Sequence, residues 1–175
     1  SDKHGFIIAA DECYSEIYPN EDAPPTGLLQ AAAATGCGDF HNYRTYHGCA
    51  MPSPIQAASI AAWSDEDHVR ENRRLYREKF DAVLDILGPV LPVYRPKGGF
   101  YLWTHAPMDD ENFAKLLYAR CNVRVLPGSY LAHEDSGGNP GAGHVRMALV
   151  ATLDECVRAA HHIRELIQSF PKAQE

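Results

Sequence analysis

The chain opens with an apolar run that ends at two carboxylates. Residues 6–10 (Phe-Ile-Ile-Ala-Ala) are bounded by polar residues, which is typical of a strand buried on both faces of a parallel sheet. Ligands of such sheets bind beyond the carboxyl ends of the strands. We therefore expect Asp11, the first residue after the run, to face a ligand, and Tyr14 to reach the same ligand. The alternative is an Asp that caps a turn and a Tyr that packs at a sheet edge.

Helical and irregular segments alternate over the next fifty residues. Pro19–Gly27 predicts a polar loop because Pro24-Pro25 blocks helix and sheet. Leu28–Ala34 is rich in Ala and predicts a short helix that Gly36 closes. Residues 40–51 lack a clean period and predict an irregular segment or a frayed helix start, whereas Pro52–Trp63 favours helix.

A long amphipathic helix follows, with Asp65 as its cap and its end near Leu87. Its apolar residues recur at helical spacing, and charged residues of both signs occupy its other faces. This charge pattern indicates a solvated scaffold helix rather than a nucleic-acid surface. The apolar positions are Val69, Tyr76, Phe80, Val83 and Leu87.

The remaining pattern predicts a two-layer α+β domain. Two strands, residues 90–94 and 100–105, flank a turn signal at residues 95–99 and predict a hairpin. Further elements follow in order: a helix from the Asp109-Asp110 cap to Asn122, strands at 123–126 and 145–150, and a helix with a Thr152 capping box. We place the domain boundary after residue 51, which gives domains 1–51 and 52–175.

Composition narrows the function classes. The 175 residues are 45% hydrophobic and 22% charged, as in ordinary globular proteins, and no apolar run is long enough to cross a membrane. A net charge of −7 argues against a nucleic-acid partner. Five scattered cysteines without a Cys-x-x-Cys pair predict free thiols and a cytoplasmic location. The nine histidines are dispersed and predict no metal site.

Four segments together resemble the class I/II (fold type I) aminotransferases, which use pyridoxal 5′-phosphate (PLP). They are DECY at 11–14, GGFYLW at 98–103, LPGSY at 126–130 and VRMA at 145–148. The resemblance implies an α/β fold: a remnant of the large-domain parallel sheet followed by the small α+β C-terminal domain. It implies that Asp11 pairs with the pyridine nitrogen, Tyr14 hydrogen-bonds the phenolic oxygen and Arg146 binds the substrate carboxylate. The alternative for Arg146 is a surface ion pair on an edge strand.

Longer segments resemble the succinyldiaminopimelate aminotransferases among these enzymes. They include YRTYHGCAM at 43–51 and ENRRLYREKFDAVL at 71–84. The resemblance implies transfer of an amino group between N-succinyl-diaminopimelate and 2-oxoglutarate, in the diaminopimelate branch of lysine biosynthesis. It also implies amino-acid and keto-acid substrates and a homodimer.

Two departures from the family pattern concern catalysis. The family's N-terminal half would precede Ser1, and its Schiff-base lysine and phosphate-binding arginine would fall between the Ala-rich helix and Tyr43. Residues 34–43 read ATGCGDFHNY and contain neither. The chain's lysines are Lys3, Lys79, Lys97, Lys115 and Lys172, none in that context. We therefore expect no catalytic lysine and no transamination by this chain alone. The other hypotheses are a non-catalytic module for folding or association, and an enzyme that uses His and Cys.

Overall fold

The computed structural model describes residues 8, 10, 11, 13–36 and 51–171. The chain forms two compact units, residues 1–73 and residues 74–175. The division into domains 1–51 and 52–175 stays a prediction. None of the helices in the described residues is both long and apolar enough to span a membrane.

The first unit contains two helices with largely exposed side chains. Helix α1 spans Leu28–Thr35, and helix α2 spans Ser53–Trp63. At the start of α1 the amide of Gly27 donates to Gln30 Oε1 at 3.0 Å. Gly36 ends the helix with φ +74°, a left-handed conformation that glycine adopts without strain. Both predicted helices and the loop before α1 are confirmed.

The predicted buried strand at residues 6–10 is not confirmed where it can be seen. Phe6, Ile7 and Ala9 lie outside the described residues. Ile8 and Ala10 belong to no strand and are exposed, Ile8 by 44%. A buried strand needs neighbours on both sides for its backbone groups, and the sheet of the described residues lies entirely in the second unit. Residues 40–50 also lie outside the described residues.

Helix α3 spans Asp67–Leu87 and runs through the end of the first unit into the second. Asp65 Oδ1 accepts the amide of Asp67 at 3.1 Å, which confirms the predicted cap. The apolar stripe is buried towards the C-terminal end, where Phe80, Val83 and Leu87 are at most 4% exposed. The amphipathic pattern therefore anchors the second half of the helix in a core.

The second unit is a three-stranded antiparallel sheet covered by helices. The strands are β1 (Tyr101–His105), β2 (Leu126–Pro127) and β3 (His144–Ala148), in the order β1-β3-β2. Helix α4 spans Asp110–Cys121 and α5 spans Leu153–Gln168. Buried residues of the sheet pack with those of the helices on one face; they include Leu102, Val145, Met147, Phe113, Leu117 and Ile163.

Helix caps in the second unit follow the sequence closely. Asp109 accepts the amide of Asn112 at 3.0 Å, and Asn122 ends α4 with φ 53°. Thr152 and Glu155 form the predicted capping box, in which the Glu155 carboxylate accepts the Thr152 amide at 3.0 Å. These hydrogen bonds lower the pKa of Glu155.

The predicted hairpin is wrong. Residues 90–94 form no strand, and β1 pairs along its whole length with β3, with Trp103 opposite Arg146. The segment before β1 instead turns directly after α3, where the amides of Val90 and Leu91 both donate to Leu87 O. The strand predicted at 123–126 is confined to β2, and the last strand ends at Ala148 rather than Val150.

Candidate active site

Asp11, Cys13 and Tyr14 are exposed and lie at a turn, the Asp11–Tyr14 turn. Asp11 Oδ1 accepts the amide of Cys13 at 3.3 Å, and the carbonyl of Tyr14 accepts the amide of Ile17 at 3.1 Å. Asp11 is exposed, and Tyr14 is 56% exposed. The interaction with Asp11 raises the pKa of the Cys13 thiol. In these contacts Asp11 caps a turn, as the alternative interpretation predicts. The described residues before Asp11 form no buried strand.

A buried arginine holds the residues that follow this turn. Arg73 of α3 is only 6% exposed, and its Nε donates to the Glu16 carbonyl at 2.8 Å. Its two terminal nitrogens bind the carboxylates of Glu16 and Glu21, the latter at 2.6 Å. Its guanidinium carbon also lies 4.0 Å above the centre of the Tyr18 ring. The sequence carries no local signal for this role, because Glu16 and Glu21 lie more than fifty residues before Arg73.

Arg146 lies on β3, the central strand of the sheet, and is half-buried. Its neighbours in the sequence, Val145 and Met147, are buried in the core, so Arg146 faces the opposite side of the sheet. Its guanidinium carbon lies 5.3 Å from the centre of the Tyr101 ring. Among the described residues it makes no ion pair, so the alternative of an edge-strand ion pair is wrong.

Aromatic side chains share this outer face of the sheet with Arg146. Trp103 stacks on His144 with ring centres 5.2 Å apart, and His144 lies 3.9 Å from His105. The ring of His144 also contacts the carbonyl of Ala142 through Nδ1 at 3.1 Å. These rings are cross-strand neighbours in the β1–β3 register. The sequence could have indicated this cluster only through the pairing of β1 with β3. The predicted hairpin instead paired residues 100–105 with residues 90–94.

A buried carboxylate fixes the turn that follows β2. Asp110 is 2% exposed and accepts the amides of Ser129 at 2.9 Å and Gly143 at 3.2 Å. Burial raises the pKa of Asp110, but the hydrogen bonds, chiefly that from the Ser129 amide, outweigh burial and leave the pKa below its usual value. The sequence predicted only a helix cap from the Asp109-Asp110 pair. Asp109 is that helix cap, whereas Asp110 accepts the backbone amides of the turn after β2.

The same turn brings two glycines into close contact. A Cβ atom on Gly128 would lie 2.2 Å from the Gly141 carbonyl oxygen and 2.8 Å from Trp103 Cη2. Asn139 adds to the turn by donating to the Ser129 carbonyl at 2.8 Å and accepting the Gly141 amide at 2.9 Å. The LPGSY segment at 126–130 thus lies close to Trp103 on the outer face of the sheet.

The lysines of the described residues have structural contacts or point to solvent. Lys79 donates to the carbonyl of Leu149 at 3.1 Å, and Lys115 pairs with Glu111 at 3.3 Å. Lys97 is exposed. All three belong to the second unit, and Lys3 and Lys172 lie outside the described residues. Within the described part of the chain, His, Cys, Asp and Glu form no cluster of three or more that could hold a metal ion.

Comparison with known proteins decides the family. The family model for aminotransferase class I and II matches residues 41–163, more than half of the chain. The chain belongs to the class I and II aminotransferase family. These enzymes depend on PLP, and their fold type I architecture confirms the predicted α/β class. The two units of this aminotransferase chain carry the predicted site residues separately, Asp11 and Tyr14 in the first and Arg146 in the second.

Two curated relatives show how much of an aminotransferase the chain represents. It is 31% identical to a probable aminotransferase of Mycobacterium tuberculosis, over 89% of this chain and 43% of the relative. It is 26% identical to LL-diaminopimelate aminotransferase of Maridesulfovibrio salexigens, over 94% of this chain and 49% of that relative. The chain therefore spans about half the length of the curated relatives it matches.

Solved structures give the same picture. An aminotransferase from Neisseria meningitidis is 45% identical with a TM-score of 0.83, over 95% of this chain and 50% of its own. A probable N-succinyldiaminopimelate aminotransferase from Thermus thermophilus is 36% identical with a TM-score of 0.50, over 61% and 27% of the two chains.

The described residues fit PLP in part. Asp11 offers a carboxylate for a pyridinium nitrogen, and Tyr14 offers a hydroxyl in the same turn. Both are exposed, and no lysine of the first unit lies among the described residues. Among the described residues of the first unit, Asp11 and Tyr14 thus offer a carboxylate and a hydroxyl that could contact the cofactor ring, and no side chain offers an amine.

Proposed function

We propose that this chain supplies cofactor-ring and substrate-carboxylate contacts of an aminotransferase that acts on a diaminopimelate derivative. The observation that carries the proposal is that Arg146 is half-buried and that its guanidinium makes no ion pair with a carboxylate of the described residues. A partly desolvated cation is costly without an anion, and a planar guanidinium binds a carboxylate through two parallel hydrogen bonds. An amino-acid or keto-acid carboxylate has the required charge and shape.

Each residue has a separate task in this proposal. When bound, PLP supplies the electron sink for amino-group transfer. Asp11 keeps a proton on the pyridine nitrogen by charge pairing, and Tyr14 donates a hydrogen bond to the phenolic oxygen. Arg146 fixes the substrate by its carboxylate, and Tyr101 limits the positions open to the guanidinium.

We further propose that the chain alone does not transaminate, because none of its lysines stands in the sequence context of the family's Schiff-base lysine. A coupled glutamate-forming assay with added PLP tests this, and turnover above a lysine-blocked control would contradict it. Borohydride reduction followed by intact mass measurement provides a second test. We expect no single pyridoxyl adduct; one adduct at a defined lysine would restore the enzyme hypothesis.

The substrate proposal is N-succinyl-diaminopimelate with 2-oxoglutarate. Its support is the Thermus neighbour, which is 36% identical over 61% of this chain, whereas an LL-diaminopimelate aminotransferase of Nitratidesulfovibrio vulgaris is 30% identical over 86%. Both names contain diaminopimelate, so the succinyl group is what needs testing. Titration of the chain with the succinylated and the free diamino acid separates the two. Tighter binding of the free form would favour the LL-diaminopimelate reaction.

Arg146 can be tested without turnover. We expect Arg146→Gln to weaken binding of 2-oxoglutarate by about tenfold or more, since a charge-assisted bidentate pair is lost. Arg158→Gln, an exposed arginine on α5, is the matched control. Equal affinity of the unmodified chain and the Arg146 variant would contradict the proposed substrate site.

A second candidate function is association, which the exposed apolar side chains of α2 favour. Ile55, Ile60 and Trp63 are 53%, 68% and 75% exposed. A homodimer of the family type is the occupant we propose for this surface. Sedimentation of the chain and of an Ile60→Ser, Trp63→Ser variant tests it. A mass that stays monomeric at all concentrations would exclude this function. A cytoplasmic location also stays a proposal.

A further inference from the structure

We propose that Arg73 is a positioning residue that sets the conformation of the Asp11–Tyr14 turn. This inference rests on the proposed cofactor roles of Asp11 and Tyr14. It adds a residue that touches neither cofactor nor substrate, and that acts through the backbone of Glu16.

The first step is the burial of Arg73. The first unit has no other buried side chain among its described residues, yet this one is a cation that is 6% exposed. A buried guanidinium is tolerated only when its donors are satisfied. Arg73 uses Nε and both terminal nitrogens, on the Glu16 carbonyl and on the Glu16 and Glu21 carboxylates. The pKa of Arg73 is raised, since these partners outweigh the effect of burial.

The second step is the path from this clamp to the turn. Arg73 holds the carbonyl of Glu16, and the next amide, that of Ile17, donates to the carbonyl of Tyr14. The amide of Cys13, one residue before Tyr14, donates to Asp11 Oδ1. Three hydrogen bonds therefore connect a buried side chain on a helix to the exposed carboxylate at the start of the turn.

The third step is that apolar burial contributes little to the described residues around the turn. Tyr14 and Asp11 are exposed and Ile8 is 44% exposed, so apolar burial does little to hold the turn. A lysine at position 73 would keep the charge but not the fixed fork that reaches a carbonyl and two carboxylates at once. Tyr18, stacked under the guanidinium, limits the directions from which the fork can approach.

The experiment first measures the turn itself, in the full chain without cofactor. We expect amide hydrogen exchange of Ile17 and its neighbours to be about tenfold or more faster in Arg73→Met, because the local structure opens more often. Arg70→Met, one turn earlier on the same helix and exposed, should leave exchange unchanged. Arg73→Lys should restore part of the protection. Equal exchange in the two Met variants would overturn the proposal.

The second measurement asks whether positioning reaches the cofactor contact. Pyridoxamine 5′-phosphate is the probe because it binds without a Schiff-base lysine. Asp11→Ala and Arg73→Met should each weaken its binding, and the double variant should be no weaker than Asp11→Ala alone, as expected for residues that act through one contact. Fully additive losses would mean that Arg73 acts independently of Asp11, and would overturn the proposal.

The two measurements separate the failure of this inference from that of the proposed function. If the probe does not bind, or binds regardless of Asp11, the cofactor roles fail while hydrogen exchange still decides whether Arg73 sets the turn. Glu21→Gln covers the case in which Arg73→Met does not fold. It removes one ion pair and keeps the Glu16 carbonyl contact, so exchange should rise less than in Arg73→Met.

Discussion

The two units of the molecule are stabilised by different interactions. In the second unit, side chains from α3, α4, α5 and the sheet form a continuous apolar core. In the first, the described residues bury no apolar side chain, and the one buried side chain is Arg73. Apolar burial is non-directional and tolerant, whereas a buried charge depends on every partner being in place. The difference predicts where substitutions will be costly.

The largest effect should come from the apolar core of the second unit. Phe113 on α4 is completely buried, so Phe113→Ala should lower the free energy of unfolding by about 3–5 kcal/mol. Urea unfolding followed by circular dichroism measures the change. The matched control is Leu29→Ala on α1, which is 51% exposed and should cost less than about 0.5 kcal/mol. Similar costs for the two variants would mean that the two units do not differ in this way.

A polar contact of intermediate cost lies in the second unit. Both oxygens of Asp110 accept backbone amides, so Asp110→Asn must place an NH₂ group against one N–H donor. We expect a loss of about 1.5–3 kcal/mol, the range for hydrogen bonds to charged groups. Asp109→Asn should cost little because Asn is an equally good helix cap.

The pH dependence of this contact has a definite sign. The pKa of Asp110 is lower in the folded state, so its contribution is present above the ordinary Asp pKa and lost as pH falls through the folded-state value. Unfolding curves of the unmodified chain and Asp110→Asn should therefore converge as the pH is lowered below the ordinary Asp pKa. A stability difference that does not change with pH would contradict the role of this carboxylate.

Local signals in the sequence predicted the helices well. The caps at Asp65, Asp109 and Thr152 are all observed, because each depends on residues within one helical turn. The Gly36 stop is also local. These are the features that a sequence states directly, since the side chain and the backbone group it satisfies are neighbours.

Pairing of strands was predicted less well, for a physical reason. The sequence 95–99 has the composition of a hairpin turn, but β1 finds its partner in β3 more than forty residues later. Register depends on which faces are buried, and the burial of Leu102 in a core shared with α-helical side chains is a tertiary property. The Arg73 clamp was missed for the same reason, as its partners lie more than fifty residues away.

The roles of the candidate site residues stay predictions, and the surroundings of Asp11 and Tyr14 differ from those that the sequence predicts. Arg146 was selected by its motif, and the structure adds that it lies on a central strand beside Tyr101. Asp11 and Tyr14 were selected by theirs, yet both are exposed rather than at the end of a buried strand. A sequence motif indicates which residue types a reaction needs. The burial of those residues depends on all the secondary-structure elements that pack around them.

The smallest expected effect comes from a substitution in α1, and it tests whether a change in the first unit leaves the stability of the second unit unaltered. Gly36 has φ +74° with open space where a methyl group would be added, so Gly36→Ala should cost about 1 kcal/mol from backbone strain alone. We expect a slight loss of helical circular dichroism from α1, and no shift in the unfolding midpoint of the core around Phe113. Gly128→Ala is the contrasting variant, because its methyl group would collide with the Gly141 carbonyl and destabilise the second unit. A drop in the unfolding midpoint of that core in Gly36→Ala, like the drop expected for Gly128→Ala, would mean that α1 unfolds in the same cooperative unit. The contrast between an apolar core and a region held by one buried arginine would then no longer describe this chain.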